Sequence, residues 1–146
     1  MNPLYRFIFY TLVIIAAWFA FTPPRARAAE GDWWGVATLT SYHYDRSKDH
    51  NEKNLGVGFE YHGKSVGWAG GFYKNSTYKT SVYAGPVFNF ANAGQAKFNL
   101  CLCGVTGYED AVQFTPLPTI AFEGKEWGVN IGVMPVMVGL QVKRRF

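Results

Sequence analysis

The C-terminal part of the chain alternates between apolar and other residues with a period of two. Apolar residues occupy every second position, at Val136, Val138, Leu140 and Val142, and the chain ends on Phe146. Successive side chains of a strand point to opposite faces, so this pattern predicts a strand with one apolar face. A barrel in lipid needs such a face, because its outer surface must be apolar and its backbone groups must all be paired.

The same alternation, cut by turn residues, continues through residues 29–146 and divides them into strand-like runs. The runs predict an all-β fold, an eight-stranded antiparallel transmembrane β-barrel of the outer membrane. An even strand number is typical of bacterial single-chain barrels. The predicted strands are Trp33–Tyr44, Leu55–His62, Ser65–Tyr73, Thr80–Phe90, Ala96–Tyr108, Leu117–Glu123, Glu126–Met134 and Val136–Phe146.

The N-terminal segment has the features of a secretory signal. Arg6 supplies a basic start, Phe7–Phe21 is apolar, and Ala26-Arg27-Ala28 offers small residues for cleavage. The apolar run is shorter than the roughly twenty residues that a transmembrane helix needs. We therefore predict a cleaved signal peptide over residues 1–28 and an outer-membrane barrel domain over residues 29–146. An uncleaved anchor is the alternative.

The composition argues against several kinds of partner and ligand. The net charge is +4, but the basic residues are scattered over turns and ends, so nucleic-acid binding is not expected. We expect no cofactor and no metal. Cys101 and Cys103 are the only cysteines, two positions apart on a predicted strand. Extended geometry separates such Cα atoms by about 6.5–7 Å, so we predict two buried thiols rather than a disulfide or a metal site.

The predicted inward face is made of unusually small residues. An eight-stranded barrel is normally just wide enough for side chains to fill it, so these positions predict a narrow, mostly apolar slot that suits one hydrocarbon chain. Alternatively, the glycines relieve strand curvature in a filled barrel. The small inward residues are Gly56, Gly58, Gly67, Ala69, Gly71, Gly128, Gly132 and Gly139. The polar residues expected to face inward are Glu60, Asn130, Gln141 and Lys143. The residues expected to face lipid are Leu55, Val57, Phe59, Tyr61, Trp127, Val129, Ile131 and Val133.

Three polar side chains are predicted to meet at the outer rim. His43 ends the first strand, and Asn75 and Ser76 open the second outer loop. A His beside a hydroxyl is the minimum equipment for acyl transfer, with the imidazole as general base. The pattern alone is weak evidence, because rim histidines and loop serines are common, and an ordinary structural role is the alternative.

A set of ordered segments resembles the lipid A palmitoyltransferase family (PagP). Residues 51–59, Asn-Glu-Lys-Asn-Leu-Gly-Val-Gly-Phe, look like the run that opens that family's second strand, and residues 72–76, Phe-Tyr-Lys-Asn-Ser, resemble its Phe-Lys-Asp-Ser segment. The remaining matches, in the same order, are Ala84-Gly85, Gly104-Val105-Thr106, Pro116-Leu117-Pro118 and Met134-Pro135.

The resemblance implies a barrel that moves a palmitoyl chain from a phospholipid donor to a lipid A acceptor. It also implies catalytic positions at His43, Asn75 and Ser76. The family has Asp where this chain has Asn75, and an amide cannot stabilise an imidazolium as a carboxylate does. Asp45, Glu52 or Glu60 are candidates to supply that charge.

The family's chain-length-setting glycine falls on Val87, which predicts a shallower pocket and a shorter acyl chain.

Three prolines complete the set of candidate site residues. Pro116, Pro118 and Pro135 lie near the predicted rim. Proline cannot donate a hydrogen bond to a neighbouring strand, and in the resembling family such weakened seams admit lipid sideways. The alternative is that these prolines only form turns. Pro86 lies inside a predicted strand, where a bulge or an unpaired position is expected.

We thus expect an outer-membrane enzyme that works as a monomer and meets the membrane assembly machinery through Phe146. The competing hypothesis is a non-enzymatic barrel of the same ancestry, acting as an adhesin, a receptor or an envelope-modifying factor. A lipid A deacylase is disfavoured because the chain lacks a late His-x-Ser pair. A porin is disfavoured because eight strands leave no wide channel.

Overall fold

The computed structural model describes residues 31–63, 66–109 and 111–146. Within these ranges, antiparallel strands form one closed barrel, in which each strand pairs with its sequence neighbours and β8 closes on β1. This confirms the predicted all-β, eight-stranded antiparallel barrel. The predicted signal peptide lies outside the described residues. The strands are β1 (Asp32–His43), β2 (Gly56–His62), β3 (Gly67–Lys74), β4 (Thr80–Ala93), β5 (Ala96–Val105), β6 (Gln113–Glu123), β7 (Trp127–Met134) and β8 (Met137–Arg145).

The barrel has two distinct ends. We call the end that carries the β1–β2, β3–β4, β5–β6 and β7–β8 connections the rim, and the end that carries residue 31 and Phe146 the base. The connections at the rim are mostly longer than the turns at the base, as predicted. No helix within the described residues is long and apolar enough to cross a membrane.

Most strand limits agree with the prediction to within two residues, and β4, β5 and β6 differ more. A bulge between Asn89 and Ala91 lets the pairing of β4 and β5 continue towards the base. Pro86 pairs with Trp68 of β3, but the ladder with β5 has no pair at Pro86, although the register does not shift there. The unpaired position expected at this proline is therefore found, and the bulge lies further along the strand. At the rim, β5 ends at Val105 and β6 already begins at Gln113.

The strand register determines which face each residue occupies, since directly paired residues share a face. Val57 pairs with Ala37 and Phe72, and Phe59 pairs with Gly35 and Gly70, all on the outer face. The side chains of Val57 and Phe59 are about half exposed. The outward assignments of the predicted apolar set and the inward assignments of the small residues therefore agree with the register.

The two cysteines occupy the middle of the inner face of β5, and here the prediction was wrong. Cys101 and Cys103 are joined in a disulfide, with their Cα atoms 5.5 Å apart. This separation is shorter than in a fully extended strand and lies in the range that disulfides use. Both residues are buried, and Val105 completes a small apolar cluster with them.

Candidate functional site

The position of His43 depends on an irregularity in β1. Trp34 and Val36 face inward, opposite Glu60 and Gly58. A regular strand would then turn every odd-numbered residue outward. The register with β8 shifts between Thr38 and Thr40, and this bulge turns His43 to the inner face at the rim. Bulges commonly redirect side chains in this way.

His43 is buried beneath the loop that follows it. His43 is only 5% exposed. Its ring stacks on the ring of His50, with the centroids 4.1 Å apart and the planes inclined by 14°. The Nδ1 atom of His43 is buried and has no hydrogen-bond partner. Buried polar atoms are normally paired, so this nitrogen has unused hydrogen-bonding capacity.

None of the three candidate carboxylates contacts the imidazole of His43. The carboxylate of Glu52 accepts a bond from the backbone N–H of His43, 3.1 Å away, and binds the guanidinium of Arg46. Asp45 accepts bonds from the hydroxyl and the backbone N–H of Ser47, which hold the pKa of its carboxyl below the ordinary value. Glu60 lies deeper in the lumen.

Asn75 is fully buried and builds the turn between β3 and β4. Its side-chain oxygen accepts bonds from the hydroxyl and backbone N–H of Thr77 and from the backbone N–H of Lys79, at 2.9–3.0 Å. Its side-chain nitrogen donates to the hydroxyl of Ser81 and to the carbonyl of Gly107. With both ends of the amide engaged, Asn75 has the contacts of a residue that holds two rim loops together.

Ser76 lies on the same rim as His43 but does not touch it. Within the described part of the chain, no hydrogen bond joins their side chains. The segment Asn51-Glu52 lies between them, because the backbone N–H of Asn51 donates to the carbonyl of Ser76 at 2.9 Å while Glu52 holds the backbone of His43. The rim thus brings together all three predicted catalytic residues, with a structural segment between His43 and the other two.

The space beside the inward glycines is partly occupied. A Cβ atom added at Gly58 would lie 2.6 Å from the hydroxyl of Tyr83 and 2.5 Å from the carbonyl of Gly70. At Gly71 it would lie 3.0 Å from the Tyr83 ring and 2.5 Å from the carbonyl of Val57. These glycines therefore admit the Tyr83 side chain and allow neighbouring strands to approach closely.

Other positions of the predicted pocket have similar surroundings. A Cβ atom at Gly132 would meet Leu117 at 3.2 Å, and one at Gly128 would meet the Lys143 side chain at 3.1 Å. Val87 faces inward, as anticipated for a pocket floor, and packs against the cysteine cluster. Gly56, Gly67 and Ala69 face inward as well.

A buried ion-pair network, which we call the base network, fills the lumen near the base. The ammonium of Lys143 lies 2.7 Å from the carboxylate of Glu60 and 2.6 Å from that of Glu123. Lys97 pairs with Glu123, and His62 lies 3.1 Å from Glu60. The Glu60, His62 and Glu123 side chains are close enough to hold a metal, but the two carboxylates are already paired with the ammonium groups of Lys143 and Lys97.

The prediction of inward polar groups was incomplete. Glu60, Asn130, Gln141 and Lys143 all face the lumen, and Asn130 binds Glu60 and Gln141. Sequence analysis missed Glu123, His62 and Lys97, although the alternation of β2, β5 and β6 carries the signal. It also missed His50, which lies in a loop without any periodic pattern.

The wall of the barrel is incomplete near two of the candidate gate prolines. The ladder between β6 and β7 runs from the base only as far as the pair Thr119–Gly132. Pro116 and Pro118 both lie inside β6, rather than on either side of its first residue as predicted, and face outward opposite Leu102 and Leu100. Their missing N–H groups are tolerated because β7 offers no partner along this stretch. Pro135 lies in the tight β7–β8 turn at the rim.

Comparison with known proteins found no match, either among family models or among curated proteins.

Proposed function

We propose that this barrel is embedded in the bacterial outer membrane. The support is the distribution of residues between its two faces. The outer face is almost entirely apolar, whereas the inner face carries the base network. That arrangement is the one expected of a barrel in lipid. Among the most exposed outer residues are Trp33, Leu55, Trp68, Phe72, Val82, Phe114 and Trp127.

Within that membrane, we propose a lipid A acyltransferase-like activity at the rim. The observation that carries this proposal is the buried, unpartnered Nδ1 of His43 at the mouth of the lumen. An imidazole nitrogen without a competing partner is free to accept the proton of an acceptor hydroxyl. The resemblance to lipid A palmitoyltransferases gives the substrate classes, a phospholipid donor and a lipid A acceptor.

The reaction transfers one acyl group between two oxygen atoms. The acceptor hydroxyl of lipid A attacks the ester carbonyl of the phospholipid while His43 takes its proton. The carbon–oxygen bond to the glycerol then breaks, and His43 returns the proton to the glycerol oxygen, which leaves a lysophospholipid. Ser76 positions the ester or donates a hydrogen bond to the developing oxyanion. Asn75 contributes by holding the loop that carries Ser76.

The donor chain is proposed to enter where β6 and β7 are unpaired and to lie in the upper lumen beside Gly132 and Gly139. Gln141 and the groups that it binds close this space from below. From Met137 at the rim to Gln141, the strand advances about 14 Å, and a strand tilt near 40° reduces the depth to about 10 Å. This depth favours an acyl chain shorter than palmitoyl.

Mass spectrometry of lipid A from cells that express the chain tests this proposal. The wild-type protein should add the mass of one acyl chain, and His43→Ala should abolish the addition. Lys48→Ala, in the same loop but largely exposed, serves as the matched control and should leave the addition unchanged. If lipid A is unmodified while the folded barrel is present in the outer membrane, the acyltransferase proposal is wrong.

One observation favours the non-enzymatic alternative. The Tyr83 side chain extends from β4 to the glycines of β2 and β3, and the base network fills the lumen below it. A barrel filled in this way is stable without a ligand. If the lipid A experiment shows no modification, an envelope protein that acts through its rim loops is the remaining proposal.

A further inference from the structure

The contact between His43 and His50 is unusual for a rim loop. The two rings are nearly parallel, 4.1 Å apart between centroids, although His50 lies in a segment without regular secondary structure. His50 is partly buried, unlike the residues just before it in the loop, and two imidazolium rings at this distance would repel each other. The stack is therefore stable only while at least one ring is neutral.

The rest of the loop is built to keep His50 in this place. Glu52 is bound through its carboxylate to Arg46 and to the backbone N–H of His43, and its carbonyl accepts a bond from the backbone N–H of Ser41. Asn54 binds Ser41 through its side chain. These bonds tie the second half of the loop to the last residues of β1, and the bond to Arg46 ties it to the first half of the loop. The loop therefore cannot move away from His43 without breaking several of them.

We infer that His50 is a positioning residue for His43. Its ring covers one face of the His43 imidazole and fixes the plane in which the unpartnered Nδ1 lies. Small displacements of a catalytic group lower the reaction rate by large factors. A His43 ring held in one plane should therefore give a higher kcat than a ring that rotates. This inference rests on the proposed acyltransferase activity and adds a residue that the resemblance does not supply.

The test compares His50→Ala with His50→Phe in the purified full barrel, using a phospholipid donor and lipid A in mixed micelles. His50→Ala removes the stacked ring and should lower kcat about tenfold while KM for the donor changes by less than about twofold. His50→Phe keeps a flat ring that does not titrate, and should restore kcat to within about threefold of wild type. Lys48→Ala again serves as the control.

A second measurement gives a signature that a purely structural role would not produce. In NMR spectra of the wild-type barrel, the His43 ring protons should carry the ring-current shift of the stacked His50 imidazole. In His50→Phe, the phenyl ring should preserve most of this shift. His50→Ala should also change the chemical shift of the His43 ring protons, because the ring current of the neighbouring imidazole is lost.

The outcomes separate the two proposals. If the wild-type protein transfers acyl chains and His50→Ala is as active as wild type, the positioning role is wrong and the proposed function stands. If His50→Phe is as impaired as His50→Ala although both are folded, ring stacking is not the cause and the inference also fails. If the wild-type protein is inactive, the proposed function fails first and this inference with it.

Discussion

Lys143 is the residue whose replacement tests our description of the lumen most directly. Its side chain is fully buried and its ammonium lies within 2.7 Å of two carboxylates. Replacement by Met keeps most of the volume and removes the charge. The variant Lys143→Met would leave Glu60 and Glu123 without their shared cation in a site that water does not reach.

The size of the effect follows from these contacts. At an effective dielectric constant near 20, each ion pair is worth about 6 kcal/mol of Coulomb attraction, most of which offsets desolvation. Removing one partner of a buried pair typically costs about 3–5 kcal/mol. Because Glu123 keeps Lys97 and Glu60 keeps His62, we expect the lower end, a loss of about 3 kcal/mol in the free energy of unfolding.

Urea unfolding of the barrel refolded into lipid vesicles provides the assay. Arg144→Met is the matched control, because Arg144 is the next residue on β8 but faces outward, with its guanidinium 5.5 Å from the centroid of the Trp127 ring. It should cost less than about 1 kcal/mol. Adding Glu60→Gln to Lys143→Met should recover part of the loss. Equal effects of the two single substitutions would refute the base network as a source of stability.

Three further predictions concern the rim and the pocket. Asn75→Asp, which restores the residue of the resembling family, should lower stability by about 1–3 kcal/mol in urea unfolding, because a carboxylate cannot donate to the Gly107 carbonyl; unchanged stability would contradict the structural role. Val87→Gly should leave the length of the transferred acyl chain in lipid A mass spectra unchanged, because Gln141 and the groups that it binds close the pocket from below, whereas a longer chain would place the pocket floor at Val87, as the resemblance implies. The double variant Cys101→Ser, Cys103→Ser should lose only about 2 kcal/mol, because the disulfide closes a very short loop, and a loss above about 4 kcal/mol would contradict this.

The candidate site could be predicted only in part. His43, Asn75 and Ser76 were placed at one rim because alternation and turn residues identify where strands end. The role of Asn75 could not be predicted, since its partner Ser81 lies in β4 and its partner Gly107 lies in the β5–β6 connection. The contact with His50 could not be predicted either, because a loop without periodicity gives no information about its conformation.

The sequence by itself determined the strands, their number, their order and the face that most residues present; His43 is an exception, because the bulge in β1 turns it inward. These properties follow from the period of two, which every strand carries locally. Turn residues between the runs were sufficient to pair successive strands. This is why the lipid-facing set around Val57 and Phe59 was correct.

Only the tertiary structure decided what meets inside the barrel. Lys143 and Glu60 are separated by 83 residues, and Lys143 and Glu123 by 20 residues, so their contact depends on how the strands are staggered when β8 closes on β1. Alternation determines the face of a residue but not its height in the lumen. Closure sets the heights, which brings Lys143 between the two carboxylates and Tyr83 against Gly58.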